Sequence, residues 1–270
     1  MIGFFDSGFG GLTVLKRVVE ALPQYDYVYL GDNARAPYGS RSQSVVYQFT
    51  LEAVEYLFRL GCPLIIIACN TASAKALRRI QQEHLPGAFP DRRVLGVVRP
   101  LAEEVAGRNT FRRVGLLATE GVVDSGAYLR EIGKLDPSIR VFQKACPLLV
   151  PIIEAGEQDW EGAEMIVQRY LGELMAEAGS IDALLLACTH YPILLDTIRR
   201  HLPAHVELLE QGPIVAEKLA DYLRRHPEME RRLSRGGTQE FITTDRTERF
   251  DRLARTFYGK PIRSRIVSLG

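Results

Sequence analysis

The chain contains 270 residues, with 34 basic and 33 acidic side chains and a net charge of +1. This balance favours neither nucleic acid nor an anionic membrane as a partner, and 46% hydrophobic content with 25% charged residues is typical of a soluble globular protein. The length allows one large domain or two modest ones, and no apolar run approaches the roughly 18 residues that cross a membrane.

The first residues, MIGFFDSGFGG, lack the basic segment of a signal peptide and include a carboxylate at Asp6. We therefore expect a cytoplasmic protein. In that compartment the four cysteines would stay reduced rather than form disulfides.

Short apolar runs alternate with longer amphipathic segments along most of the chain. The runs that predict strands are 2–6, 27–30, 64–68, 94–98, 114–118, 139–143, 183–187 and 206–209. The segments that predict helices are 45–59, 71–84, 121–134, 160–178 and 192–201. Continuous apolar strands between helices indicate parallel sheets covered on both faces, so the predicted fold class is α/β. The runs 241–245 and 265–269, with a helix near 246–257, form a tail that we expect to complete the first sheet.

Two of the predicted strands end in the same way. LIIIACNT (64–71) and ALLLACTH (183–190) each place Ala-Cys and then polar residues where an apolar run stops. An earlier strand in each half also ends in polar residues, at Asp6 and at Thr119, which suggests two similar halves facing each other. Ligand sites in open α/β sheets gather at the carboxyl ends of strands, so we expect both cysteines in one cleft.

The residues around Cys69 and Cys188 favour chemistry over simple packing. A helix N-terminus after each strand would stabilise a thiolate, whereas Cys62 and Cys146 each precede a proline and are expected to pack as small apolar side chains. Structural zinc needs closely spaced ligand pairs such as Cys-x₂-Cys, and a hydrolase would leave one cysteine unexplained. Two opposed thiols suit racemisation or epimerisation, in which one face of a carbon loses a proton and the other gains one.

Two glycine-rich segments accompany these strand ends. FFDSGFGGLTVL (4–15) lacks the Lys-Ser/Thr of a nucleotide-binding P-loop, and plain turn chemistry is the simpler interpretation. GDNARAPYGSRS (31–42) is either a connector or a loop whose backbone amides hold a substrate carboxylate.

FFDSGFGG, YLGDNARAPYG, ACNTAS and LACTHYP, in this order, closely resemble the motifs of the glutamate racemases of bacterial cell-wall synthesis, and CPLLVPIIEAG (146–156) is similar too. Aspartate racemases are the related group, but CNTAS and CTHYP fit the glutamate enzymes better. The resemblance implies a pyridoxal-phosphate-independent isomerase that supplies D-glutamate for peptidoglycan biosynthesis and cell shape, with neither cofactor nor metal. It also implies two pseudosymmetric, doubly wound domains with the site between them, here 1–98 plus 210–270 and 99–209.

Carried over by this resemblance, Cys69 and Cys188 are the two acid/base thiols, on the D- and L-glutamate faces respectively. Asp6 is expected to assist Cys69, and His190 with Glu154 to assist Cys188. The positions expected to bind substrate are Asp6, Ser7, Pro37, Tyr38, Gly39, Asn70, Thr71, Thr119, Thr189 and His190.

One departure from the family pattern leaves alternatives open. The family usually shows Gly-Thr-x-x-Thr around Thr119, whereas Ala118 and Val122 replace the glycine and the second threonine here. The alternatives are a racemase of aspartate or another acidic amino acid, and a catalytically impaired relative that binds or regulates. A homodimer is possible, and neither nucleic acid nor membrane is an expected partner.

Overall fold

The computed structural model describes residues 1–269. Within this range the strands, β1 to β10 in chain order, are Ile2–Asp6, Tyr27–Gly31, Leu64–Ile67, Arg93–Gly96, Arg113–Ala118, Arg140–Ala145, Ala183–Ala187, Glu207–Leu209, Gln239–Thr243 and Ser264–Ile266. The α-helices, α1 to α14, are Leu12–Ala21, Gln43–Arg59, Asn70–Lys75, Leu77–Arg79, Leu85–Ala88, Val98–Gly107, Glu120–Ser125, Ala127–Leu135, Leu149–Ala155, Glu161–Ala178, Leu195–Arg200, Gln211–Arg225, Pro227–Glu230 and Thr247–Tyr258. Short 3₁₀ turns cover Asn33–Arg35 and Tyr191–Leu194, and a π-helical segment covers Ile80–His84.

The described strands form two parallel sheets. The first has the order β10-β9-β2-β1-β3-β4, and the second has the order β6-β5-β7-β8. Every pairing within them is parallel, with β1 between β2 and β3 and with β5 between β6 and β7. The α/β fold class predicted from the apolar runs is therefore confirmed.

The C-terminal tail lies in the first sheet. Strand β9 pairs with β2 in the register Tyr27 to Gln239, and β10 extends that edge. The tail strands begin and end earlier than the sequence predicted, at Gln239–Thr243 and Ser264–Ile266. The domain boundaries at residues 98 and 210 stay a prediction.

Both faces of the first sheet are covered by apolar side chains. Phe4 and Phe5 are neighbours on β1 and point to opposite faces, yet both are fully buried. The face carrying Phe4 belongs to a core that continues into the second sheet at Leu116 and Leu185, and α1 packs on α12 along this continuous core. The two sheets are therefore held together by shared apolar packing as well as by chain crossovers.

Two predicted helices are broken in the structure. The segment 71–84 is interrupted at Ala76, whose φ of −117° departs from helical geometry, and then continues into the π-helical segment. The segment 121–134 is divided at Gly126, which has φ +59°, in the left-handed region that glycine adopts without strain. Both breaks were missed because the apolar periodicity continues across them.

The helices within residues 1–269 include none with both the length and the apolar content of a membrane span.

Candidate active site

A cavity of about 490 Å³ lies at the carboxyl ends of strands from both sheets, and both Cys69 and Cys188 line it. Cys69 follows β3 and Cys188 follows β7, and only 6% and 5% of their surfaces are exposed. A negative charge on Cys188 raises the pKa of Cys69, so the two thiols are electrostatically coupled. Each cysteine lies at the carboxyl end of a central strand, as expected for an open parallel sheet.

The thiol of Cys69 caps helix α3. Its Sγ accepts a hydrogen bond from the backbone N–H of Ala72 at 3.4 Å and lies 3.4 Å from Ser7 Oγ. Burial and, to a smaller extent, the charge of Asp6 raise the pKa of Cys69 to about 12, although the contacts with Ser7 and Ala72 oppose the change. A pKa near that value favours a neutral thiol at Cys69 at physiological pH.

Asp6 is fully buried beneath the cavity at the end of β1 and links the two halves of the molecule. Its Oδ2 accepts the Gly8 backbone N–H at 3.0 Å, and its Oδ1 accepts the hydroxyl of Thr189 at 3.4 Å. Burial raises the pKa of Asp6, and the positive charge of His190 opposes that rise. The charge of Asp6 also raises the pKa of Cys69, although Asp6 does not line the cavity itself.

The thiol of Cys188 lies beside an imidazole held by a carboxylate. Cys188 Sγ is 4.0 Å from His190 Nδ1, and His190 Nε2 is 2.9 Å from Glu154 Oε1. Burial disfavours the charged imidazole, but the hydrogen bonds with Cys188 and Glu154 outweigh it and raise the pKa of His190 to about 10. A cationic imidazole therefore lies beside Cys188, whereas the acidic group Asp6 lies near Cys69.

The predicted substrate positions surround the same cavity, with the exception of Asp6. The cavity is lined by Ser7, Pro37, Tyr38, Gly39, Asn70, Thr71, Thr119, Thr189 and His190. Thr71 and Thr119 lie 3.0 Å apart through their hydroxyls and so join the two halves. Val122, which replaces the usual threonine, is fully buried and does not line the cavity.

The loop 33–40 is anchored behind the cavity by Asp32. Its Oδ2 accepts the hydroxyl of Tyr38 at 2.5 Å and Nε of Arg35 at 2.7 Å, and its Oδ1 accepts the hydroxyl of Thr244 at 2.8 Å. Burial, followed by the nearby Asp32 charge, raises the pKa of Tyr38 well above its usual value, so its hydroxyl stays protonated and donates. These bonds hold Pro37, Tyr38 and Gly39 against the cavity.

Several lining residues were missed by sequence reasoning. Cys146 lines the cavity although its proline context predicted packing only, and Arg246, Arg249 and Phe250 come from the tail, where the family resemblance was faint. Asn33 also lines it. Its Oδ1 accepts the hydroxyl of Thr243 at 3.1 Å, while its buried Nδ2 has no partner among the described residues.

Among residues 1–269, no cluster of three or more His, Cys, Asp or Glu side chains is arranged to hold a metal ion.

The sequence and the fold both match known racemases. Residues 2–219 match the family model described as Asp/Glu/Hydantoin racemase. The chain is 40% identical over 258 residues to the glutamate racemase of Geobacter metallireducens, covering 96% of this chain and 92% of that protein. It is 36% identical over 267 residues to the glutamate racemase of Aquifex aeolicus, covering 99% and 97%.

Two solved structures show the same architecture. Glutamate racemase RacE1 of Bacillus anthracis superposes with a TM-score of 0.90 at 31% identity, covering 100% of this chain and 97% of that one. The Francisella tularensis glutamate racemase in complex with D-glutamate superposes with a TM-score of 0.87 at 32% identity, covering 99% and 97%.

Proposed function

Since the chain belongs to the Asp/Glu/Hydantoin racemase family and groups with its glutamate racemases, we propose that it interconverts L- and D-glutamate with two opposed thiols and no cofactor. The observation that carries this proposal is that Cys69 and Cys188 line one cavity at matched strand ends. Their electrostatic partners differ, because Asp6 raises the pKa of Cys69 whereas His190 lies beside Cys188, so the two sulfurs suit opposite roles in proton transfer.

The positions of His190 beside Cys188 and of Asp6 near Cys69 suit the reaction from L-glutamate to D-glutamate. In this reaction Cys188, acting as the base beside the cationic His190, removes the α-proton from the L face, and the Cys69 thiol delivers a proton to the opposite face. The assignment of Cys188 to the L-glutamate face and of Cys69 to the D-glutamate face follows the family resemblance. His190, held by Glu154, keeps its proton during the first step and stabilises the charge on Cys188.

The reverse reaction requires Cys69 to lose its proton. Its pKa of about 12 is unfavourable for that, because burial and the charge of Asp6 both disfavour a thiolate. The ammonium group of bound D-glutamate supplies a positive charge in the same cavity and lowers the pKa of Cys69. Substrate binding and thiol activation are therefore coupled on this side.

The α-carbanion must be stabilised without a cofactor that accepts electrons. General acid–base catalysis contributes about 10²–10⁴-fold, so preorganised hydrogen bonds to the substrate carboxylates must supply much of the remainder. Asn70, Thr71, Thr119 and Thr189 are among the polar side chains that line the cavity and could form these hydrogen bonds. Asn70, Thr71 and Thr189 are buried, which strengthens their hydrogen bonds because little water competes for them.

The cellular role follows from the product. D-Glutamate is a component of peptidoglycan, and we propose that the protein acts in the cytoplasm to supply it. The near-neutral charge offers no attraction to nucleic acid or membrane. We also propose that the protein forms a homodimer. Its two domains would be 1–98 plus 210–270 and 99–209.

The deciding experiment incubates the purified protein with L-glutamate or L-aspartate in D₂O without pyridoxal phosphate. Loss of circular dichroism with α-deuterium incorporation for glutamate alone is the expected result. The same changes with aspartate would favour the aspartate racemase alternative. No exchange with any amino acid would refute the enzyme and leave a binding or regulatory role.

Cysteine variants test the assignment of the thiols. Cys69→Ser and Cys188→Ser should each abolish full turnover, since a serine hydroxyl is a far weaker acid than a thiol. The matched control is Cys62→Ser, because Cys62 is equally buried but belongs to the core beneath α2 and does not line the cavity. Inactivation by Cys62→Ser with full activity in either of the other variants would refute the assignment.

A further inference from the structure

Three buried polar side chains form a continuous chain beside Cys69, here called the Asn70 relay. Tyr128 on α8 donates its hydroxyl to Asn70 Oδ1 at 2.6 Å. Asn70 Nδ2 donates to Gln211 Oε1 at 2.5 Å, and Gln211 Nε2 donates to the backbone carbonyl of Ala68 at 2.9 Å. Tyr128, Asn70 and Gln211 are 0%, 2% and 0% exposed, so water does not compete for these bonds.

The direction of every bond in the relay follows from its last member. The carbonyl of Ala68 can only accept, so the Gln211 group facing it must be the NH₂, and Gln211 Oε1 must face Asn70. That oxygen can only accept as well, so Asn70 must present Nδ2 to it and Oδ1 to Tyr128. The Tyr128 hydroxyl then donates. The amide orientation of Asn70 is thus determined by a backbone carbonyl two hydrogen bonds away.

The relay has a consequence for the cavity. Asn70 lines it directly after Cys69, and the relay uses one of the two N–H groups of its amide. The remaining N–H is free to donate into the cavity. The amide cannot rotate to present its oxygen there instead, because Nδ2 already donates to Gln211 and Oδ1 already accepts from Tyr128. An amide free to rotate could present its oxygen instead, which would repel a carboxylate.

The members of the relay come from different parts of the fold. Asn70 begins α3 after the first-sheet strand β3, whereas Tyr128 lies on α8 between strands of the second sheet. Gln211 begins α12 immediately after β8, where the chain leaves the second sheet. The Asn70 donor is therefore oriented only where the two sheets come together.

We propose that Gln211 and Tyr128 are positioning residues that hold the Asn70 amide with its nitrogen toward a substrate carboxylate beside Cys69. This inference rests on the proposed function, since it takes glutamate as the ligand. Neither residue lines the cavity, so both act through Asn70 and not on the substrate.

The test combines glutamate binding and turnover in Tyr128→Phe and Gln211→Met, which remove the relay groups but keep similar side-chain volume. Each variant should raise the Kd for D-glutamate and the KM about tenfold, the change that corresponds to about 1.4 kcal/mol. The kcat should fall as well, because the substrate carboxylate gains negative charge as the carbanion forms and Asn70 helps to stabilise that charge.

A double variant separates positioning from a structural role. In an Asn70→Ala background the relay has nothing left to orient, so Tyr128→Phe should change Kd by less than about twofold. The matched control is Tyr27→Phe, which removes an equally buried hydroxyl that donates to the Leu22 carbonyl at 2.6 Å, away from the cavity. It should lower the free energy of unfolding without changing Kd.

Three results are decisive. An unchanged Kd in Tyr128→Phe, or an equal loss of affinity with and without Asn70, would overturn the inference. If the wild-type protein bound glutamate without racemising it, the proposed function would be wrong, and the Kd series would still decide the role of the relay.

Discussion

Gly10 offers a sharp test of the Cys188 side of the site, because a single methyl group added there has no room. A Cβ at this position would lie 2.1 Å from Thr189 Oγ1, 2.4 Å from His190 Nδ1 and 2.7 Å from His190 Cε1. Ordinary contacts of a Cβ begin near 3.4 Å. Gly10 does not adopt a positive φ, so alanine suits its backbone and the whole effect is steric.

The clash can be relieved only by displacing Thr189 and His190 by more than about 1 Å, and a misplacement of that size costs on the order of 100-fold in rate. His190 would lose its geometry to both Cys188 and Glu154, and Thr189 its bond to Asp6. We therefore expect Gly10→Ala to lower kcat about 100-fold. Forced repacking should also reduce the free energy of unfolding by about 1–3 kcal/mol.

The assay is the initial rate of L-glutamate racemisation by circular dichroism, with urea unfolding on the same preparation. Gly172→Ala is the control, since a Cβ in the middle of α10 meets no atom within 4 Å. It should leave the rate unchanged and stabilise the helix by up to about 1 kcal/mol. A folded Gly10→Ala protein with a rate within threefold of wild type would refute the steric reasoning.

Two further predictions concern charge. Burial opposes the charged form of His190, but hydrogen bonds with Cys188 and Glu154 overcome it and raise the pKa from 6.5 to about 10. Protonated His190 should therefore contribute its full stabilisation to the fold below pH 6.5, and this contribution should be lost as the pH rises toward 10. The free energy of unfolding in urea should decline less steeply with pH in Glu154→Gln than in the wild-type protein. An equal decline in the two proteins would contradict this prediction. Asp6→Asn should lower the pKa of Cys69 and speed its alkylation by iodoacetamide, measured by peptide mapping, while racemisation falls. An unchanged alkylation rate would mean that Asp6 carries no charge.

Much of the fold could be predicted from local patterns. A run such as Leu64–Ile67 is buried on both faces, so it is apolar throughout, and this signal survives without knowledge of its neighbours. The strand ends at Cys69 and Cys188 were visible for the same reason, because a polar residue directly after such a run marks the edge of the sheet. The helix breaks at Ala76 and Gly126 were not visible, since they are changes of backbone angle within an unbroken apolar period.

The candidate site divides in a similar way. The residues around Cys69 and Cys188 predicted a pair of functional thiols, and the ordered motifs identified the family. The resemblance placed His190 and Glu154 together near Cys188, whereas the contact between them, the partners of Asn70 and the approach of Arg249 from the tail emerge only in the folded chain. The difference lies in how far apart along the chain the interacting residues are. Apolar periodicity is written into neighbouring residues, whereas the polarity of a buried donor depends on partners that meet only after two sheets have packed together.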